Sequence, residues 1–245
     1  MFLFVFFCPG ALFNYSAEES PLNSIWKTLG SSVGHKWIVG LTGAGLILFV
    51  IGHLAGNLLL YAGLGSYNEY AHALHANENL LHVIEIGLLI TFGLHILLAI
   101  RVSREHRRAR PKGYVQHRSK QGRSKVYAAN IMIYSGLIVL GFILLHLADL
   151  RFNLRHPVPA GVEPATHTLL VLQDPISMSV YFLGSLFLAY HLWHAVQSVF
   201  QTYGLNHSRY TPFIKKVGII LAIILGMGFA SFPVWGLLLK LGVVS

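Results

Sequence analysis

The chain has 245 residues, of which 54% are hydrophobic and only 11% are charged. Soluble domains carry about 25% charged residues, so this composition excludes an ordinary soluble domain and indicates an integral membrane protein. The single cysteine, Cys8, excludes an internal disulfide framework and an iron–sulfur cluster held by this chain alone, while the net charge of +9 suits either nucleic-acid binding or membrane topology.

Five long apolar stretches follow one another along the chain, and each has the roughly 20 apolar residues that a spanning helix needs. The segments GLGSYNEY, RARPKGY, RHPVPAGVEP and LNHSRYTP separate them and have the Gly, Pro and Asn content of loops. The first stretch, MFLFVFFCPGALF, is too short to span and belongs to an N-terminal arm over 1–30. We predict an all-α, polytopic membrane domain over 31–245. Its five spans are 36–61, 81–101, 127–149, 176–203 and 213–239.

The basic residues lie almost entirely at one end of the predicted bundle. Fifteen of the 18 Lys and Arg precede the first span or fall in the connections between the second and third and between the fourth and fifth spans. Only Arg151, Arg155 and Lys240 fall on the other side. The positive-inside rule therefore places the N-terminus in the cytoplasm and the C-terminus outside. Topology explains the charge without a nucleic-acid partner, and the ten-charge loop can also bind anionic lipid.

Five of the 14 histidines lie deep in the predicted spans, where ionisable residues are uncommon and usually functional. At about 1.5 Å per residue, His53 and His146 lie about 25 and 28 Å from the cytoplasmic face. His95 lies about 10 Å from that face, and His191 and His194 lie about 18 and 13 Å from it. The depths predict an outer pair, His53 with His146, and an inner pair, His95 with either His191 or His194. Two facing imidazoles are the axial ligands of a b-type haem, so two levels predict two stacked haems.

Glycines accompany these histidines. In the first span, the dipeptide Thr42-Gly43 places its glycine ten residues before His53. In the third span, Ser135-Gly136 places its glycine ten residues before His146. A glycine on a facing helix lets a flat ring approach the backbone. We expect haem-pocket glycines at two levels, with Gly43 and Gly136 at the inner level and Gly87 and Gly184 nearer the outer level.

Histidines within a membrane also serve metal or proton transporters, and any single one can be a hydrogen-bonded core residue. Transporters usually carry carboxylates within their spans as well. Here Glu85 alone lies within a predicted span, near its outer end, and Asp149 lies at a helix edge. The haem interpretation is therefore favoured over the transporter.

At these residues the sequence resembles the five-helix, two-haem cytochrome b subunit of type B succinate dehydrogenases and fumarate reductases, the membrane anchor of complex II. The likeness begins near residue 30 and rests on TGAGLILFVIGHLAGN, EIGLLITFGLHILLAIR, YSGLIVLGFILLHLAD and LAYHLWHAVQS, in that order. It implies axial ligands at His53 and His146 for the outer haem and at His95 and His191 for the inner haem. It also implies that His194 is a residue of the inner haem pocket.

The resemblance implies partners as well. A flavoprotein subunit would interconvert succinate and fumarate in the tricarboxylic acid cycle. An iron–sulfur subunit would pass electrons to this anchor at the cytoplasmic face of a bacterial inner membrane. The anchor would exchange electrons with a quinone, expected to be menaquinone, and the complex can be a monomer or a higher oligomer. The alternatives are the cytochrome b anchor of another respiratory enzyme, such as a hydrogenase or formate dehydrogenase, and a non-haem membrane transporter.

Polar residues near the helix ends are candidates to bind quinone oxygens or haem propionates. They are Ser31, Ser32, Lys36 and Arg101 on the cytoplasmic side, and His82 and Glu85 near the outer level. Some two-haem members carry a glutamate two residues before the ligand of the fourth helix, where it is thought to conduct protons. Ala189 stands at that position here, which argues against such a proton route in this chain.

Overall fold

The chain folds into helices alone over the part that the structure describes. This structure, a computed structural model, describes residues 21–109, 125–159 and 161–244. Its helices are α1 (Pro21–Leu29), α2 (Ser32–Asn57), α3 (Leu59–Ala62), α4 (Leu64–His75), α5 (Glu78–Arg108), α6 (Lys125–Leu150), α7 (Pro164–Gln173), α8 (Pro175–Thr202) and α9 (Thr211–Lys240).

Among the described residues, five stretches are long and apolar enough to cross a membrane, which confirms the prediction of an all-helical chain with five candidate spans. They are Ser32–Ala62, Glu78–Arg108, Met132–Leu150, Pro175–Thr202 and Thr211–Lys240. The apolar run at the start of the chain and most of the ten-charge loop lie outside the described residues.

The second span is longer than predicted, because α5 continues past residue 101 to Arg108. Its first turn is capped by Asn77, whose side chain accepts a hydrogen bond from the amide of Leu80 at 3.1 Å. Its last turn carries His106, Arg107 and Arg108, and positive charge there is stabilised by the helix dipole. These features extend the helix beyond its apolar part.

The segment GLGSYNEY is largely helical, so its prediction as a loop was wrong. Gly63, with φ at 123°, separates α3 from α4, and the residues from Leu64 onward form α4. α4 packs against α7, where the side chain of Asn68 accepts a hydrogen bond from the amide of Ala165 at 2.9 Å. Tertiary contact here outweighs the low helix propensity of Gly and Ser. LNHSRYTP and the described residues of RHPVPAGVEP are non-helical up to the start of α9 and α7, as predicted. Most of RARPKGY lies outside the described residues.

Two helical pairs and one supporting helix form the bundle. α2 packs against α5, α6 packs against α8, and α2 also contacts α8, whereas α5 and α6 touch only slightly. α9 packs along α8 over most of its length. Small residues allow this approach: a Cβ at Gly218 would lie 3.1 Å from the Cβ of Val196, and a Cβ at Gly226 would overlap the Cβ of Ala189.

Gly226→Ala should lower the free energy of unfolding by about 1–3 kcal/mol, because the new methyl group has to push α9 away from α8. Gly141→Ala on α6 is the matched control, since no described atom lies within 4 Å of its Cβ position. Unfolding in detergent micelles, followed by the loss of helical circular dichroism, measures both variants. Equal stability of the two variants would contradict this close packing.

Candidate functional site

The outer pair lies toward the ends of α2 and α6. The imidazole centroids of His53 and His146 are 5.9 Å apart, and the ring planes meet at 84°. A metal bound to two imidazoles at about 2 Å per bond separates the ring centroids by about 6 Å. Nδ1 of His146 is buried and has no hydrogen-bond partner among the described residues. A buried group that the protein leaves unsatisfied is typical of a ligand or water site.

Aromatic side chains enclose the outer pair on both sides. The contacts, with centroid separations between 5.4 and 5.9 Å, are made to His53 by Phe49 and Phe229 and to His146 by Phe142 and Tyr181. Such an apolar wall excludes water and strengthens any electrostatic interaction within it.

The inner pair comes from the other two helices, and a hydroxyl of the neighbouring helix contacts each imidazole. Thr42 Oγ1 on α2 lies 3.2 Å from Nδ1 of His95 on α5. Ser135 Oγ on α6 lies 3.1 Å from Nδ1 of His191 on α8. His95 and His191 lie on α5 and α8, the two helices whose histidines the sequence assigns to the inner level. The two helical pairs therefore repeat one arrangement, in which a hydroxyl of the first helix meets an imidazole of the second.

The glycines beside these hydroxyls make room for the imidazoles. A Cβ at Gly43 would lie 3.1 Å from Cε1 of His95, and a Cβ at Gly136 would lie 3.3 Å from Cε1 of His191. These separations are tighter than ordinary contacts. The sequence predicts that the two glycines admit a flat haem ring, whereas the ring that lies against each of them is an imidazole.

The other predicted pocket residues have different surroundings. A Cβ at Gly184 would lie 2.5 Å from the ring of Phe142, so an aromatic side chain already fills that space. The Cβ position of Gly87 has no described atom within 4 Å. His194 lies one turn beyond His191 on α8, and its ring contacts Tyr190 and Trp193.

The predicted quinone or propionate residues at the start of α2 and the end of α5 are partly engaged within the protein. Ser31 caps α2: its Oγ accepts a hydrogen bond from the amide of Gly34 and donates one to the carbonyl of Thr28. Arg101 donates a hydrogen bond to Glu105 at 3.2 Å. Of the remaining two, Ser32 is exposed and Lys36 is half-buried.

At the opposite end of the bundle, Glu85 forms an ion pair that the sequence did not reveal. Its carboxylate lies 2.8 Å from Nε of Arg151, which follows α6. His82, one turn earlier on α5, is exposed. The pair joins α5 to the end of α6, where these two helices otherwise have little contact.

The burial of Asp149, which the sequence places only at a helix edge, is the main feature of the site that the sequence did not reveal. Asp149 is 0% exposed and accepts hydrogen bonds from Nη1 of Arg155, at 3.1 and 3.2 Å, and from Ser177 Oγ at 3.0 Å. Arg155 also reaches Asp174, the N-cap of α8, at 3.3 Å. The hydrogen bond from the Ser177 amide holds the pKa of Asp174 below its usual range. The acid at the end of an apolar span, six residues before an arginine, was the available clue.

A second missed group follows from the greater length of α5. Because α5 continues past residue 101, Glu105 lies within the span, so Glu85 is not the only carboxylate there. Nδ1 of the buried His35 is 3.6 Å from a carboxylate oxygen of Glu105. The pair joins the start of α2 to the end of α5.

Comparison of the chain with protein-family models, characterised proteins and solved structures gives no match. Within the described ranges, no three His, Cys, Asp or Glu side chains form a metal-binding group. Axial ligation of a haem needs only two imidazoles, because the macrocycle supplies the other iron ligands. The chemistry of the site therefore follows from the geometry of the two histidine pairs.

Proposed function

We propose that the chain is the di-haem cytochrome b anchor of a succinate:quinone oxidoreductase, with two haem b groups stacked across the membrane. One observation carries the proposal: the rings of His53 and His146 lie together at one level, while His95 and His191 each lie beside a hydroxyl of the neighbouring helix at the other. In each pair, one histidine comes from the α2–α5 helices and the other from the α6–α8 helices. His53 and His146 would bind the outer haem, and His95 and His191 would bind the inner haem.

The donor set fits this group. The four side chains are imidazoles, the usual axial ligands of b-type haems. The 5.9 Å separation of the outer rings agrees with a metal between them, and the apolar walls are typical of a haem pocket. When bound, the haems supply one-electron carriers at the two levels.

The protein would position the two haem sites at different depths in the membrane and exclude water from them. Thr42, beside the inner pair, and His53, in the outer pair, are 11 residues apart on α2, which is about 16 Å along the helix axis. This is about half the thickness of the hydrocarbon core. The phenylalanines around the outer pair exclude water from that level.

Partners and orientation follow from the charge distribution and the resemblance. Fifteen of 18 basic residues favour a cytoplasmic N-terminus in a bacterial inner membrane. The iron–sulfur and flavoprotein subunits would then dock at the cytoplasmic end, nearest the inner pair. One cysteine in the whole chain requires that any cluster belong to a partner. Menaquinone is the proposed electron acceptor or donor.

The structure of α8 bears on proton transfer as well. Ala189 packs directly against Gly226 of α9, so position 189 holds a small apolar residue at a close contact between α8 and α9. Alanine has no ionisable group, so a proton route through this chain would need other residues.

Purification of the chain with its partners tests the proposal. We expect two haem b per chain in a pyridine haemochrome assay, a low-spin b spectrum that succinate reduces, and a co-purified subunit with covalent flavin. A preparation without haem would overturn the proposal. Haem together with a nickel or molybdenum subunit would favour a hydrogenase or formate dehydrogenase anchor instead.

A further inference from the structure

The hydroxyls of Thr42 and Ser135 lie against the inner pair in the same way on two different helices. We propose that they are positioning residues for the inner haem ligands: each accepts the Nδ1–H of the neighbouring imidazole and so leaves Nε2 free to bind iron. This inference rests on the proposed di-haem function and assigns a role to two residues that do not touch the iron.

The hydrogen-bond donors and acceptors around Thr42 determine the tautomer of His95. Thr42 Oγ1 has a single hydrogen, and it lies 2.7 Å from the carbonyl of Ile38, to which it donates. Toward Nδ1 of His95, at 3.2 Å, the same oxygen therefore accepts. Nδ1 thus carries the proton, and Nε2 keeps the lone pair that a metal needs.

Ser135 repeats the arrangement on α6. Its Oγ donates to the carbonyl of Met132 at 3.2 Å and lies 3.1 Å from Nδ1 of His191. Thr42 and Ser135 are both buried. Without competing water, such hydrogen bonds are strong and hold the ring orientation.

The glycine that follows each hydroxyl is part of the same device. Without a side chain at Gly43 or Gly136, the Nδ1–Cε1 edge of the imidazole can lie against the helix and reach the hydroxyl. A Cβ at either position would press on Cε1 and move the ring away. The hydroxyl-glycine dipeptide therefore acts as a unit that occurs once in each helical pair.

The outer pair has no such acceptor among the described residues. Nδ1 of His146 has no hydrogen-bond partner there. Nδ1 of His53 lies 3.5 Å from Nδ2 of Asn57, an amide nitrogen that donates, also to the His53 carbonyl at 2.8 Å, and cannot accept. The outer haem is therefore an internal control for changes at the inner level.

A hydrogen bond from Nδ1–H raises the electron density at Nε2 and stabilises the oxidised iron more than the reduced iron. Loss of the acceptor should raise the midpoint potential of the inner haem. It should also weaken haem binding at that level, since loss of such a partner costs about 10–100-fold in metal affinity.

Potentiometric titration of the whole complex, with the two haems resolved by their absorption and electron paramagnetic resonance spectra, tests the inference. Thr42→Val and Ser135→Ala should each raise the inner potential or lower inner-haem occupancy, without changing the outer haem. Thr42→Ser should restore both values, because it restores the acceptor. Ser185→Ala is the matched control, since this buried hydroxyl of α8 donates to the Tyr181 carbonyl at 2.7 Å in the same way as Thr42 donates to Ile38.

The outcomes separate this inference from the proposed function. A wild-type complex without haem would overturn the proposed function. Two haems with an unchanged inner potential in both Thr42→Val and Ser135→Ala would overturn the inference alone. Ser135→Ala removes one oxygen atom and decides the matter if Thr42→Val does not fold.

Discussion

His146→Ala should reduce the haem content of the purified complex from two per chain to one. The variant leaves His53 as the only axial imidazole of the outer level, and an alanine cannot take its partner's place. The spectrum of the inner haem should remain, because its proposed ligands are on α5 and α8. Haem per chain by the pyridine haemochrome assay, and the number of low-spin signals in electron paramagnetic resonance, measure the result.

His82→Ala is the matched control for this loss, because His82 is an exposed histidine of α5 and should leave both haems in place. The same assay separates the two candidates on α8. His191→Ala should remove the inner haem, whereas His194→Ala should keep it. Two bound haems in His146→Ala would contradict the assignment of the outer pair.

Arg155→Ala should lower the free energy of unfolding by about 3–5 kcal/mol, the usual cost when one partner of a buried ion pair is removed. Asp149 is 0% exposed, so the variant leaves a buried carboxylate with Ser177 as its remaining strong hydrogen-bond donor. Unfolding of the detergent-solubilised complex, followed by circular dichroism, gives the difference.

Arg151→Ala provides the comparison, because it breaks an ion pair with Glu85 whose arginine side chain is 53% exposed. Exposed pairs contribute about 0–1 kcal/mol, so this variant should remain close to wild type. A double change, Asp149→Asn with Arg155→Met, should recover part of the lost stability, since no unpaired charge stays buried. Equal losses for Arg151→Ala and Arg155→Ala would contradict the importance of burial.

The apolar spans could be predicted from the sequence because a hydrocarbon layer dictates both their length and their helical form. The ends of the helices could not be predicted in this way, because local tertiary contacts and capping hydrogen bonds determine where a polar segment stops being helical. α5 continues to Arg108 through charged residues, and α4 forms across Gly65 and Ser66 because it packs against α7. The hydropathy of the sequence predicts neither the length of α5 nor the formation of α4.

The depth of each histidine in the membrane could be predicted from the sequence, but the rotation of each helix about its axis could not. The constant rise of a helix placed His53 at the level of His146, and the structure brings their rings together. Which side chain lies beside an imidazole depends on how each helix is turned about its axis. The contact of Thr42 with His95 and the burial of Asp149 are therefore properties of the folded bundle that spacing alone does not determine.

The slight contact between α5 and α6 has a consequence for biogenesis. Each proposed iron would take one imidazole from the α2–α5 pair and one from the α6–α8 pair, so two haems would add a link between halves that otherwise meet mainly where α2 contacts α8 and α4 contacts α7. Stable association of the two helical pairs would then depend on insertion of the cofactor. A cell short of haem would accumulate two loosely associated hairpins that quality-control proteases can remove before the soluble subunits dock.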